Sequence, residues 1–154
     1  YLVVNRHGHD WSTHKNPNRR DGELGREHKL ADEQVRMMVN SGRWELGAHT
    51  ETHAYLPDLS DEAKRREILG SRRRLVETFS VAVGSFAYPF GHYDSIDVDL
   101  VREAGFTTAV TTQPGVTTNT VDSPLELKRI KVSGKDNMLA FVLRMRTGFR
   151  GLSG

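Results

Sequence analysis

Apolar positions fall into short runs along this chain, and polar stretches rich in glycine, proline or asparagine separate them. The first run, residues 1–5, is partly β-branched and predicts a strand. Similar runs predict further short strands at residues 44–48, 85–88, 106–112 and 129–133. Apolar residues at three- and four-residue spacing predict helices at residues 30–40, 61–79, 96–104 and 137–145. Strands and helices therefore alternate over most of the chain.

The predicted helix boundaries carry local signals. Ser60 is a predicted N-cap, and Asp61 and Glu62 favour the first turn of the helix that follows, because acidic side chains are stabilised there. Gly105 predicts a left-handed cap after helix 96–104. Strands that alternate with crossover helices indicate a parallel sheet, either an open doubly wound sheet or part of a barrel.

Candidate chemistry follows two of the predicted strands. His49 and His53 lie four positions apart, directly after strand 44–48. If the chain turns helically there, both imidazoles lie on one face and can bind one cation such as zinc. The rigid turn Tyr88-Pro89-Phe90-Gly91 follows strand 85–88, and the carboxyl ends of parallel strands meet at one edge. The alternative is a pair of loop histidines with no joint role.

A second group of polar side chains lies in residues 6–26, which are predicted to form a long loop. This group contains His7, His9, Asp10 and His14. No two of these side chains share a regular element of secondary structure, so solvated loop residues are favoured over a second metal site.

Composition narrows the class of protein. The 154 residues suffice for one domain with a core, and no run is long enough to span a membrane. The absence of cysteine excludes disulfides and thiolate metal sites. Lys and Arg number 22 against 20 for Asp and Glu, a net charge of +2, which argues against a nucleic-acid partner. Glutamates also interrupt the arginines of helix 61–79, so a solvated helix face is favoured there over a nucleic-acid surface. These arginines are Arg65, Arg66, Arg72, Arg73 and Arg74.

The two candidate turns are similar to motifs of a known family. Residues 47–53, followed by Leu56, resemble the His-Thr/Ser-x-x-His zinc motif of polysaccharide deacetylases, the nodulation-protein-like carbohydrate esterase family four. Residues 86–94 resemble the next motif of that family in its Tyr-Pro-Tyr/Phe-Gly form. That form is typical of the branch related to exopolysaccharide and poly-N-acetylglucosamine deacetylases. Residues 101–112 and 128–132 also resemble this branch.

The resemblance implies a distorted (β/α) barrel that hydrolyses N-acetyl groups from an N-acetylglucosamine-containing polysaccharide. It implies one divalent cation, usually Zn²⁺, held by two histidines and an aspartate, with His49 and His53 as the histidines. The cation would polarise the acetyl carbonyl and activate a water, and a second aspartate would be the general base. Tyr88, Pro89 and Phe90 would line the substrate site, and the Phe90 backbone N–H would stabilise the oxyanion. An extracellular or cell-envelope location is expected with this activity.

The chain departs from the family pattern in three places. The Thr-Phe-Asp-Asp motif, source of the general base and the third ligand, does not occur in residues 1–154. It normally lies on the strand before residues 1–5, so a deacetylase-like domain lacking its first strand is expected. Ala87 stands where many relatives have an arginine, and no Leu-x-His motif follows residue 92.

These departures carry expectations of their own. Metal affinity should be poor, or a stand-in such as Asp10 should complete the site. The unpaired edge of strand 1–5 should favour self-association. A degenerate relative that binds N-acetylated glycans without hydrolysis remains the alternative to a metal-dependent deacetylase, and a nucleic-acid-binding domain that uses the arginine helix is a third interpretation.

Overall fold

The computed structural model describes residues 1–7, 28–121, 123–134 and 136–148. Its helices are α1 (Asp32–Asn40), α2 (Asp61–Phe79), α3 (Ser95–Glu103) and α4 (Met138–Thr147). Its strands are β1 (Ser85–Ala87), β2 (Thr108–Pro114) and β3 (Leu127–Arg129). Two short 3₁₀ turns, Leu56–Asp58 and Pro89–Gly91, complete the described elements.

The strands form a parallel sheet in the order β1-β2-β3, as the alternation of strands and helices predicts. Two extended segments continue the sheet beyond β1: the segment around Ala48 lies beside β1, and the segment around Leu2 lies beside Ala48. Ala48 bridges to Phe86 on one side and to Leu2 on the other, both in parallel. The Ala48 N–H donates to the Ser85 carbonyl at 2.9 Å, and the Leu2 N–H donates to the Gly47 carbonyl at 2.8 Å. The described residues thus form an open parallel sheet, and the closed barrel and the self-association of its edge stay predictions.

Two strand predictions are wrong in position. The strand predicted at residues 129–133 ends at Arg129, because the chain pairs with β2 earlier, at Leu127–Arg129. Leu125 is buried just before that pairing, whereas Val132 is 51% exposed and fills no core. Residues 44–48 were predicted as a buried strand, yet Trp44 is 59% exposed, and burial begins only at Leu46.

The helix boundaries follow the local signals closely. The Ser60 hydroxyl accepts a hydrogen bond from the Ala63 N–H at 3.3 Å at the start of α2, which confirms the predicted N-cap. Gly105 has a φ of +82° after α3, which confirms the left-handed conformation predicted there. The Asn137 side chain caps α4 by accepting from the Ala140 N–H at 2.8 Å.

The core lies between α2 and the sheet. Ile68, Leu75 and Phe79 of α2 are buried in one cluster with Phe86 of β1 and Phe106. Full burial of such a side chain contributes about 1.5–3 kcal/mol, so this cluster is the main apolar contribution that fixes α2 against the sheet. None of the described helices has the length and apolar character needed to cross a membrane.

Candidate metal centre

The two predicted metal ligands lie in the turn formed by residues 49–53, where the chain leaves the sheet. The turn is not helical, which corrects the conformation expected from the four-residue spacing. Thr50 and His53 instead have φ values of 62° and 57°, a left-handed conformation that non-glycine residues rarely adopt. The imidazole rings of His49 and His53 nevertheless lie together, with centroids 4.8 Å apart and ring planes at 69°.

The His49 imidazole is held in one tautomer. Its Nδ1–H donates to the Ala87 carbonyl oxygen at 2.6 Å, so its Nε2 carries the lone pair of the neutral ring. Burial lowers the pKa of His49 and outweighs the bond to Ala87, which alone would raise it. His49 is therefore neutral at pH 7, which is the state that a metal ligand requires.

A carboxylate of helix α2 holds the middle of this turn. Glu67 Oε2 accepts the backbone N–H groups of Glu51 at 3.0 Å and Thr52 at 2.9 Å. Glu67 Oε1 accepts the Thr52 hydroxyl at 2.7 Å. Farther along the helix, Arg74 Nη1 lies 3.4 Å from Glu51 Oε2. The turn is thus anchored to the neighbouring helix by polar contacts. The sequence pattern did not predict this role of Glu67, because in the sequence Glu67 is only one of the glutamates that interrupt the arginines of this helix.

The second candidate turn follows β1. Its Gly91 N–H donates to the Tyr88 carbonyl at 3.0 Å, and Phe90 has a φ of 58°. Phe90 is half-buried, and its ring centroid lies 4.7 Å from that of His53. The two turns therefore meet at one edge of the sheet. The sequence predicted this arrangement, because each turn follows the carboxyl end of a parallel strand.

The Tyr88 side chain lies beneath this turn. Tyr88 has no exposed surface, its hydroxyl donates to the Leu125 carbonyl at 3.0 Å, and its ring stacks on Tyr93 at 4.3 Å. Burial raises the pKa of Tyr88 well above its usual range. Pro89 is buried as well. Tyr88 and Pro89 thus support the turn from inside, whereas Phe90 is partly exposed, and the substrate-binding role of all three stays a prediction.

Backbone strain is concentrated at these turns. Among the described residues, four non-glycine residues have a positive φ, namely Thr50, His53, Ser80 and Phe90. Ser80 caps the end of α2, whereas the other three are His53 itself, Thr50 between the two histidines, and Phe90 against the His53 ring. Such conformations cost about 1–3 kcal/mol each and persist only where the surroundings enforce them, which is common at functional sites.

His49 and His53 face a cleft of about 370 Å³. Arg6 and His28 also line it, and the sequence pattern did not single out either residue. The Arg6 Nε–H donates to the Leu30 carbonyl at 2.6 Å, which ties residues 28–30 beside the cleft. A larger groove, about 1100 Å³, runs along the arginines of α2 but contains neither histidine, so the candidate chemistry belongs to the smaller cleft.

A third metal ligand is not found in the described parts of the chain. Within residues 1–7, 28–121, 123–134 and 136–148, no three His, Asp or Glu side chains are grouped closely enough to hold a metal ion. His9, Asp10 and His14 of the second predicted cluster lie outside these residues, so the role of Asp10 as a stand-in stays a prediction. His7 is described and exposed.

Comparison with known proteins decides the family. The family model for polysaccharide deacetylase matches residues 4–109, a span that contains both turns. The chain belongs to the polysaccharide deacetylase family. The resemblance of the two motifs is thereby confirmed.

Solved structures of polysaccharide deacetylases share this fold. A polysaccharide deacetylase from Bacillus cereus is 30% identical, with a TM-score of 0.68 over 75% of this chain and 36% of that one. The Streptococcus pyogenes deacetylase PplD, solved with acetate, is 24% identical, with a TM-score of 0.66 over 73% of this chain and 49% of that one. IcaB from Ammonifex degensii is 22% identical, with a TM-score of 0.59 over 68% of this chain and 48% of that one.

The chain thus spans between about a third and a half of the length of these structures. A comparison with curated protein sequences finds no match.

Proposed function

We propose that this deacetylase domain binds one divalent cation, Zn²⁺ or a similar transition metal, through His49 and His53. We further propose that it removes N-acetyl groups from an N-acetylglucosamine-containing polysaccharide. The observation that carries the proposal is the neutral, tautomer-fixed His49 ring beside His53. A neutral imidazole whose other nitrogen donates to a backbone carbonyl is the usual state of a histidine metal ligand. When bound, such a cation supplies a Lewis acid for the acetyl carbonyl and activates water.

The chain's own residues supply positioning around the cleft. Phe90, Tyr55 and His92 form an aromatic strip beside His53, with centroid distances of 6.0 Å from Tyr55 to Phe90 and 5.5 Å from Tyr55 to His92. Aromatic faces of this kind suit the apolar face of a sugar ring. The Phe90 backbone N–H is the proposed oxyanion donor, and the left-handed turn fixes its position before substrate binds.

The general base and the third ligand are proposed to come from the Thr-Phe-Asp-Asp motif of the family, in a complete domain with the (β/α) barrel form. The cell envelope is the proposed location, because a polysaccharide substrate is expected there. Among the described residues, no three His, Asp or Glu side chains are grouped closely enough to bind a metal ion. This observation favours a second candidate function, a domain that binds N-acetylated glycans without hydrolysing them.

Acetate release from an N-acetylglucosamine oligomer by the full-length protein tests the proposal. Activity should fall after chelation and return with Zn²⁺. His49→Ala should abolish it, whereas the matched control His7→Ala, an exposed histidine that does not line the cleft, should leave it unchanged. Near-normal turnover by His49→Ala would contradict the assignment. Oligomer binding by the wild-type protein without acetate release would favour the second candidate.

A further inference from the structure

The turn between the two histidines has no regular hydrogen-bond pattern of its own. Its middle residues, Glu51 and Thr52, instead direct two successive backbone N–H groups at the single oxygen Glu67 Oε2. Successive N–H groups that converge in this way form a concave site for an anion. Here the anion is a side chain of the same protein.

We propose that Glu67 is a positioning residue for the metal site. Its carboxylate fixes the left-handed turn that places His53 beside His49, and thereby raises the affinity for the cation. This inference rests on the proposed metal-dependent function. Glu67 acts through residues 51 and 52 and is not among the residues that line the cleft.

The contacts of Glu67 match the strain in the turn. Thr50 and His53 are both left-handed, and they flank the two residues that Glu67 holds. Bonds to an ionised acceptor are stronger than neutral ones, so they can offset this strain. Thr50 is fully buried and its hydroxyl has no partner, so this side chain contributes no compensating bond.

The surface of α2 around Glu67 is shaped for the same turn. Gly70 lies three residues after Glu67 and faces Glu51, since a Cβ atom at this position would overlap Glu51 Oε1. Arg74 lies seven residues after Glu67 and reaches Glu51 Oε2 at 3.4 Å. Positions i, i+3 and i+7 lie on one helix face, so one face of α2 receives residues 51 and 52.

The other glutamates of α2 provide the matched comparison. Glu62 pairs with Arg66 at 3.0 Å on the surface, and Glu77 is exposed near the end of the helix. Glu77→Ala therefore removes a carboxylate from the same helix without touching the turn.

The test is the Zn²⁺ affinity of the full-length protein, measured by competition with a chromophoric chelator well below the melting temperature. Glu67→Ala should weaken Zn²⁺ binding by about tenfold to a hundredfold, the usual cost of losing an outer-shell partner. Glu67→Gln should recover most of that loss, because its amide oxygen can accept both N–H groups and its NH₂ can donate to Thr52 Oγ1. Glu77→Ala should bind Zn²⁺ as the wild type does.

A merely structural role would lower the melting temperature of Glu67→Ala without changing the Zn²⁺ affinity of the folded protein. That result overturns the inference. If Glu67→Ala does not fold, Thr52→Val decides, since it removes only the bond to Oε1. A severalfold loss of Zn²⁺ affinity in Thr52→Val supports the inference, and an unchanged affinity overturns it. A wild-type protein that binds no Zn²⁺ overturns the proposed function and this inference together. A wild-type protein that binds Zn²⁺ no better than Glu67→Ala does overturns this inference alone.

Discussion

The two turns that meet at one edge of the sheet are stabilised in different ways. Residues 49–53 are held from outside by three hydrogen bonds to one carboxylate, that of Glu67. The turn after β1 is held from beneath by the buried Tyr88 ring, its stack on Tyr93 and its bond to the Leu125 carbonyl. The first support is polar and directional, so it sets an orientation through few contacts. The second depends mainly on a buried aromatic side chain, so it fixes the turn through packing in the core.

Helix α2 nevertheless supports both turns. Three residues before Glu67, Lys64 is buried and pairs with Asp94, the N-cap of α3, and lies 3.5 Å from the buried Asp97. Burial alone would lower the pKa of Lys64, but the hydrogen bond to Asp94 and the charges of Asp97 and Asp94 outweigh it, so the pKa is raised. The start of α3, which follows the second turn, is therefore fixed by an ion pair rather than by apolar contacts alone.

The largest effect on stability should come from Lys64→Ala. It leaves Asp97, which is fully buried, without its compensating charge. We expect a loss of about 3–5 kcal/mol in the free energy of unfolding, measured by urea denaturation. Arg65→Ala is the control, because the Arg65–Glu103 pair is exposed and should change stability little. Equal effects of the two substitutions would show that α2 does not support the second turn through Lys64.

A smaller loss is expected for Gly91→Ala. Gly91 has a φ of +73°, and a Cβ atom there would overlap the Thr112 side chain, so the second turn must shift. We expect a loss of about 2–4 kcal/mol, from backbone strain and steric overlap together. Gly42→Ala has a similar φ of +68° but open space around it, so strain alone should cost about 1–2 kcal/mol. The difference between their melting temperatures isolates the overlap, and no difference would refute it.

Alkaline pH should weaken the second turn selectively. Burial, together with the hydrogen bond to Glu126, raises the pKa of Tyr93 to about 12 from 10.0. Because the folded-state pKa lies above the unfolded one, the stabilisation is complete below pH 10 and is lost as the pH rises towards 12. Tyr93→Phe should flatten this decline in the free energy of unfolding. A tyrosinate absorbance difference between the two proteins with its midpoint near pH 10 would contradict the shift.

The smallest effect should follow replacement of the Phe90 ring. Phe90→Leu should retain deacetylation by the full-length protein, because the proposed oxyanion donor is the backbone N–H and the ring only packs against His53. Its acetate release is compared with that of the wild type under the same conditions. Loss of activity as complete as in His49→Ala would show that the ring itself takes part.

Local signals predicted more of this fold than of its site. The caps at Ser60 and Gly105 depend on neighbouring residues alone and are confirmed. The position of β3 depends on which residues the distant core accepts, and Val132 has the right β-branched character without the burial. The proximity of His49 and His53 was expected for a helical turn, whereas the actual turn depends on a carboxylate 15 residues away. Spacing along a sequence carries no signal for such a partner.

One further consequence follows from the place of α2 in the chain. Glu67 lies 15 and 16 residues from the donors it accepts, and Lys64 lies 30 residues from Asp94. Contacts over such short separations lose little chain entropy on closure and favour early formation in folding. One continuous stretch, residues 46–97, contains both turns and the helix that holds them. Exchange of this one stretch with another family member would therefore carry the two histidines together with Glu67 and the Ala87 carbonyl, which hold the first turn and the His49 ring.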